Sequence, residues 1–196
     1  KNLAQIIVRL IKENFEQNTQ ITSPKKINLD NIFSKFLENL INSKNSVQEE
    51  RLMFEFSSRI KSNTYKQTKT INYFKEIFFS EKMDKIFLLN DLGILQKIIP
   101  EFSKILDLPQ FDRYHSLTVG QHTLRALNIL KDLKSKKLRN NTYKFVYKIL
   151  KRNEDLKPLY YSTLLHDIGK GSGDDHSKVG SRISSKVLKR LNADNS

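Results

Sequence analysis

Residues 159–171, LYYSTLLHDIGKG, join an apolar helical run to a polar ending. Pro158 stands directly before this run, and proline suits the first turn of a helix because the N–H that it lacks would have no partner there. The run becomes polar at His166-Asp167, and Gly169 supplies a stop signal. The sequence therefore predicts a helix that opens near Pro158 and ends in a His-Asp doublet.

Apolar residues recur at helical spacing along most of the chain, whereas strand-like alternation is nearly absent. Only 6 Gly and 4 Pro interrupt this pattern, so the fold is predicted to be all-α. In the first half we predict a helix at residues 3–15, followed by a linker with Pro24, and a third helix from Val47 behind a Ser46–Glu49 capping box. Between them lies a second helix with an apolar face of Leu29, Phe33, Phe36, Leu37, Leu40 and Ile41. Two further helices are predicted at Ile71–Phe79 and, between a Ser80 cap and a Leu92-Gly93 stop, at Met83–Leu89.

Two prolines, Pro100 and Pro109, interrupt the helical pattern close together. Proline cannot continue a helix. The chemistry of the sequence also changes here, because all 4 His follow Pro109. We place a domain boundary at residues 100–112. It separates a helical linker region, residues 1–108, from the first part of a second helical domain, residues 109–196.

The composition excludes several classes of protein. The chain has no Cys, so a metal ion would have to be held by His and carboxylate side chains. No segment approaches the roughly 20 apolar residues of a membrane span, and we expect a cytoplasmic protein. Because the chain begins at Lys1 and not at Met, we also expect it to be a segment of a longer protein.

The formal net charge is +14, which can indicate a nucleic-acid partner. The excess Lys is scattered among Asn, Ile and Asp along the helices and does not form one stripe. This distribution favours a solvated basic surface over a groove for a polyanion, so nucleic acid is not an expected partner.

All 4 His lie between residues 115 and 176. Thr118 and Gln121 have the spacing of a capping box, which predicts a helix that runs through Leu133 and carries His122 on its apolar stripe. A single His on such a stripe is usually a hydrogen-bonded core residue. The predicted buried residues of this helix are Val119, Ala126, Leu130 and Leu133.

His166-Asp167 provides the second part of a metal site. At the last turn of a helix, neighbouring side chains can both reach one ion. Asp167 also opposes the helix dipole at that end, and a bound cation would offset this cost. Together with His122, the doublet indicates a metal site and not only a structural histidine.

The loop GKGSGDDHS, residues 169–177, is rich enough in Gly for its backbone to approach a phosphate. It contains Lys170 and leads to His176 at the start of another helix. Asp174, Asp175 and His176 are also explained as capping residues of an ordinary amphipathic helix. That helix has the apolar residues Val179, Ile183, Val187 and Leu191, and the small residues Gly180, Ser181 and Ser184 for close packing.

Two stretches carry a resemblance to a known family: FDRYHSLTVGQHTLRAL, residues 111–127, and LLHDIGKGSGDDHSKVG, residues 164–180. They resemble the HD superfamily of metal-dependent phosphohydrolases, and within it the HD domains of bifunctional PII uridylyltransferase/uridylyl-removing enzymes. The lead-in LGILQKIIPEFSKI is also similar, so the resemblance covers about residues 84–185. It implies an HD-type all-α domain that removes UMP from a tyrosine of the PII signalling protein.

The resemblance also implies roles for individual residues. A divalent metal such as Mg²⁺ or Mn²⁺ would be bound by His122, His166 and Asp167, and His176 would be a further ligand or would bind a second metal. Lys170 would contact the phosphate, and His115 would contact it, protonate the leaving group or support the site. Glutamine would be sensed by regions outside this chain.

The sequence departs from the family pattern at several points. Gly120-Gln121 replaces a more usual acidic pair, and Gly169 replaces a common Ala. The Asp that closes the site from a later helix is absent, so hydrolase activity of this segment alone is not implied. The nucleotidyltransferase motif is also absent, so the uridylyl-adding activity is not expected in this segment. Two alternatives stay open: an HD-superfamily nucleotide or tRNA-end phosphohydrolase, and a non-catalytic helical regulatory module.

Overall fold

The computed structural model describes residues 29–42, 57, 60, 64–80, 84–109, 117–135, 141–173 and 175–193. Within them the predicted all-α fold is confirmed, and the only strand-like pairing is an isolated bridge between Pro109 and Thr118. The predicted helix at residues 3–15, the Pro24 linker and the helix from Val47 lie outside these residues. The helices are α1 Leu29–Asn42, α2 Thr68–Phe79, α3 Asp84–Asp91, α4 Leu95–Ile98, α5 Ser103–Leu106, α6 Val119–Lys134, α7 Asn141–Arg152, α8 Lys157–Leu165 and α9 His176–Arg190.

Helices α1 and α2 pack against each other through the apolar face that the sequence predicts for α1. Its buried members are Phe33, Phe36, Leu37 and Leu40, while Ile41 is half-buried against the same core. A short 3-10 turn at Thr64–Lys66 precedes α2, and the Tyr65 ring contacts Phe33 edge-on at 5.1 Å.

Helix α3 ends where the sequence predicts, at Leu92-Gly93. Gly93 has a φ of +68°, the left-handed conformation that closes many helices. The chain bonds back through Gly93 N to Asn90 O at 2.9 Å and Ile94 N to Leu89 O at 2.8 Å. These bonds satisfy carbonyls that the helix end leaves free.

The stretch around Pro100 is a sequence of short turns. Pro100–Phe102 forms a 3-10 turn that leads directly into α5. Buried residues on both sides of the predicted boundary at residues 100–112 belong to one hydrophobic cluster. The rings of Phe78 and Tyr161, for example, lie 5.8 Å apart. The division of the chain into two domains stays a prediction.

Helix α6 begins with the predicted capping box, in which Thr118 and Gln121 satisfy each other's backbone N–H groups. The predicted buried stripe is only partly right, because Ala126 and Leu133 are half-buried. The helix approaches Leu106 so closely at Gly120 that a Cβ there would lie 2.6 Å from the Leu106 Cα. This contact turns the buried face towards Gly120, Thr123, Leu124 and Leu127, which accompany Val119 and Leu130.

The last three helices complete the described part of the chain. Helix α7 was not predicted from the sequence, although its inward-facing Val146 and Leu150 have helical spacing. Helix α8 begins with Pro158 in its first turn and α9 begins at His176, both as predicted. None of the helices in the described residues is long and apolar enough to cross a membrane.

Candidate metal centre

The end of α8 positions His166 and Asp167. Leu164 and Leu165 anchor the last helical turn in the core, and residues 166–171 then form a turn. Gly171 adopts the left-handed backbone of this turn with a φ of +75°, whereas Gly169, the predicted stop residue, has no positive φ. The His-Asp doublet therefore lies at a helix end, as predicted.

Helix α6 positions His122 opposite this turn. His122 lies in the first turns of the helix, where its backbone N–H donates to Thr118 O at 2.8 Å. Its ring centroid is 5.5 Å from that of His166, with the rings inclined by 63°. His122, His166 and Asp167 each offer one ligand atom, and these atoms all lie within 4.8 Å of one another. The structure thus brings together the three residues that the sequence predicts as metal ligands.

The hydrogen bonds of His166 show how its ring is oriented. Its Nδ1 lies 2.9 Å from the carbonyl oxygen of Thr163, which can only accept, so Nδ1 carries a proton. Its Nε2 lies 3.2 Å from Asp167 Oδ2. Nε2 and the Asp167 carboxylate therefore face each other, so one cation could bind both. The role of Thr163 was not predicted from the sequence, although the last carbonyls of a helix are free to accept such a bond.

Lys170 lies in the same turn. Its Nζ is 2.9 Å from Asp167 Oδ2, the oxygen that also faces His166. The ammonium group is therefore close to the three-residue group but is paired with one of its members. Its predicted contact with a phosphate stays a prediction.

His176 is the first residue of α9 and is exposed. It lines a cavity of about 630 Å³ between α8 and α9, together with His166 and Asp167, but it is not part of the three-residue group within the described residues. Asp175 caps the helix by accepting from the backbone N–H groups of Ser177 and Lys178 at 3.1 and 3.4 Å. These two bonds lower the pKa of the Asp175 carboxyl. The capping role that the sequence suggested for Asp175 is confirmed.

Two further predicted residues, His115 and Asp174, lie outside the described residues. The role of His115 therefore stays a prediction, and so do the ligand roles of His122, His166, Asp167 and His176.

Comparisons with known proteins agree with the resemblance seen in the motifs. Residues 114–195 match the family model of the HD domain. Over 103 residues the chain is 42% identical to the bifunctional uridylyltransferase/uridylyl-removing enzyme of Ruegeria pomeroyi. Over 123 residues it is 37% identical to the enzyme of the same name from Azospirillum brasilense. No solved structure matches the chain.

These matches cover different shares of the chains. They include 53% and 60% of this chain, but only 11% and 13% of the two relatives. The chain thus spans a small part of the length of the curated relatives that it matches, and this part is their HD region.

Proposed function

We propose that residues 114–195 form the first part of a metal-dependent phosphodiesterase that removes UMP from a modified tyrosine of the PII signalling protein. The observation that carries this proposal is the convergence of His122, His166 and Asp167 within 4.8 Å in a region that matches the HD domain. The names of the two relatives favour this activity over a nucleotide or tRNA-end phosphohydrolase.

The donor set fits a divalent cation such as Mg²⁺ or Mn²⁺. Two imidazole nitrogens and one carboxylate oxygen suit first-row divalent metals and leave coordination positions for a substrate. A cation held there would act as a Lewis acid on a phosphoryl oxygen and make a nearby water molecule more acidic. The hydrogen bond from His166 Nδ1 to Thr163 O supports this fit, because it fixes the ring and leaves Nε2 to bind the ion.

The hydrolysis itself requires one bond to form and one to break. The oxygen of water bonds to phosphorus as the bond from phosphorus to the tyrosine oxygen breaks, which yields UMP and a phenolate that takes up a proton. In the metal-bound protein, Lys170 would move from Asp167 to the phosphoryl oxygens and help to neutralise the charge that grows there. His176, on the wall of the same cavity, would contact the substrate or provide a further ligand.

The whole protein would act in the cytoplasm, and its response to glutamine would belong to regions outside this chain. A non-catalytic helical module is the remaining alternative. It would use the same His residues only for packing and would bind no metal.

Metal binding by single variants tests the proposal. We expect the 196-residue chain to bind Mn²⁺ in equilibrium dialysis, and His122→Ala and His166→Ala to weaken binding by at least about tenfold because each removes a nitrogen ligand. Asp91→Ala, which removes an exposed carboxylate at the end of α3, serves as the control and should bind as the unmodified chain does. Equal Mn²⁺ binding by the unmodified chain and His166→Ala would refute the site.

The substrate is tested with the whole protein. We expect release of UMP from uridylylated PII, and the same His166→Ala substitution should abolish it. Release of phosphate from free nucleotides, without release of UMP from PII, would favour the alternative phosphohydrolase.

A further inference from the structure

The cavity between α8 and α9 begins at the candidate metal centre. His166 and Asp167 at the end of α8 and His176 at the start of α9 belong to its wall. Here α9 lies against the turn that carries Asp167, since a Cβ added at Gly180 would lie only 3.5 Å from Gly169 N. A phosphate bound at the candidate metal site would therefore have the cavity directly beside it.

The cavity is large enough for a nucleoside. It extends from the metal centre to Pro158 at the start of α8 and Leu188 near the end of α9. Along α8, the rise from Pro158 to His166 is roughly 12 Å. The volume of about 630 Å³ falls within the range of roughly 300–1,000 Å³ that is usual for small-molecule sites. A sugar and one base fit into this space beside a metal-bound phosphate.

The wall combines apolar surface with hydroxyl groups. Tyr161 and Leu165 on α8 offer apolar surface against which the flat face of a base can pack. Three serines also line the cavity, Ser162 on α8 and Ser181 and Ser184 on α9, and their hydroxyls can bond to those of a ribose. Since serine is small, these positions also leave the space between the helices open.

The Tyr161 hydroxyl is a second indication of a ligand. The Tyr161 side chain is 6% exposed, and its buried Oη has no hydrogen-bond partner among the described residues. A buried hydroxyl without a partner lowers stability. A carbonyl oxygen of a bound pyrimidine could accept a hydrogen bond from it.

The far end of the cavity carries one acceptor and one donor. Asp155 and Lys157 lie there, and Asp155 Oδ1 accepts from the backbone N–H of Lys157 at 2.9 Å. A carboxylate only accepts hydrogen bonds and an ammonium group only donates them. The two side chains thus complement the N–H and the carbonyl groups on the edge of a uracil ring.

We infer that this cavity binds the uridine part of the nucleotide, with the phosphate at the metal centre and the base along the wall formed by Tyr161, Ser181 and Ser184. The inference rests on the proposed function. It assigns to α9 a role in substrate specificity through the residues that face the cavity.

A side chain that fills the cavity tests the inference. Ser184→Leu enlarges a residue of the wall, whereas Ser185→Leu makes the same change at an exposed neighbour outside the wall and serves as the control. Isothermal titration calorimetry in the presence of Mn²⁺ measures the affinity of each protein for UMP and for ribose 5-phosphate, which lacks the base. Equilibrium dialysis measures Mn²⁺ binding separately.

The base should add affinity only while the cavity is open. We expect the unmodified chain and Ser185→Leu to bind UMP at least about tenfold more tightly than ribose 5-phosphate, because the cavity buries the apolar faces of the base. Ser184→Leu should lose this preference for UMP. It should still bind Mn²⁺ as the unmodified chain does, because the three candidate ligands are unchanged.

The outcomes separate this inference from the proposed function. If the unmodified chain binds Mn²⁺ but shows no preference for UMP, the nucleoside site is wrong and the metal site stands. If the chain prefers UMP and Ser184→Leu loses this preference, but the chain does not bind Mn²⁺, the metal site is wrong and the nucleoside site stands. A folded Ser184→Leu protein that keeps the preference for UMP would overturn the inference.

A second substitution covers the case in which Ser184→Leu does not fold. Ser181→Leu fills the cavity from the preceding turn of α9, and Ser181 is exposed, so folding should tolerate the change. This variant should also lose the preference for UMP. If folded Ser181→Leu still binds UMP as tightly as the unmodified chain, the cavity is not the nucleoside site.

Discussion

At the scale of single residues, the orientation of His166 depends on a helix end. The last carbonyls of a helix have no intrahelical partner, and Thr163 O uses this freedom to accept from His166 Nδ1. For a His one turn earlier in α8, the corresponding carbonyl would already accept a hydrogen bond from a backbone N–H of the helix. The position of the His-Asp doublet at the end of α8 therefore selects the ring nitrogen that faces Asp167.

Two buried tyrosines differ in their hydroxyl groups. Burial raises the pKa of both Tyr65 and Tyr161 to about 12, so both stay protonated at ordinary pH. Tyr65 Oη donates to Ser57 O at 3.1 Å, whereas Tyr161 Oη, which is buried, has no partner among the described residues. The two hydroxyls should therefore contribute differently to stability.

Phenylalanine substitutions test this difference. Tyr65→Phe removes this hydrogen bond to Ser57 O, which also accepts from Ile60 N, and should lower the free energy of unfolding by about 1 kcal/mol. Tyr161→Phe removes a hydroxyl that has no partner among the described residues, and it should change the free energy of unfolding by less than about 0.5 kcal/mol or increase it. Urea denaturation of the two variants provides the measurement, and a larger loss for Tyr161→Phe would show that its hydroxyl has a partner.

At the scale of elements, the start of α6 combines two functions in one side chain. The Thr118 hydroxyl accepts from Gln121 N at 3.2 Å as a helix cap and donates to Leu106 O at 2.6 Å. The second bond joins α6 to the end of α5, beside the close contact at Gly120. Thr118 thus fixes the start of the helix and its place on the neighbouring element, and His122 lies one turn further on.

Removal of this cap should be costly. Thr118→Ala loses both bonds, and we expect a loss of about 1–2 kcal/mol in the free energy of unfolding. Ser135→Ala, at the opposite end of α6, removes only an exposed bond of 3.3 Å to Asp132 O and should cost less than about 0.5 kcal/mol. Thermal denaturation of both variants gives the comparison, and equal midpoints would contradict the role of Thr118.

Local features of the elements could be predicted from the sequence. The capping box at Thr118, the proline at the start of α8 and the Gly93 stop are each encoded within a few residues. The side of α6 that is buried could not be predicted in full, because it depends on how closely Gly120 approaches Leu106. The contact of Gly169 with the backbone of His176 and Gly180 could not be predicted for the same reason, since it depends on a second helix.

At the scale of the whole molecule, one ion pair joins distant parts of the chain. Glu101 in the 3-10 turn after Ile99 accepts both hydrogen bonds from Arg190 at the end of α9, across 89 residues of sequence. No local pattern could have indicated this pair. It connects the stretch in which we place the domain boundary to the helix that packs on the turn at Asp167.

Glu101→Gln should reveal the contribution of this pair through its pH dependence. The hydrogen bonds from Arg190 hold the pKa of the Glu101 carboxyl below its ordinary value of 4.5. A carboxyl whose pKa is lower in the folded protein stabilises it above the ordinary value, and this contribution is lost as the pH falls through the folded value. At pH 7 we therefore expect Glu101→Gln to lower the free energy of unfolding by about 1–2 kcal/mol.

The difference from the unmodified chain should shrink as the pH falls below 4.5, because protonation then removes the Glu101 charge from the unmodified chain, whereas Gln carries no charge at any pH. Urea denaturation at a series of pH values measures it. Glu154→Gln, which neutralises an exposed carboxylate, controls for the change in net charge, and it should follow the unmodified chain at every pH. If Glu101→Gln lowers the free energy of unfolding equally at pH 7 and at low pH, then packing, and not charge, joins the turn to α9.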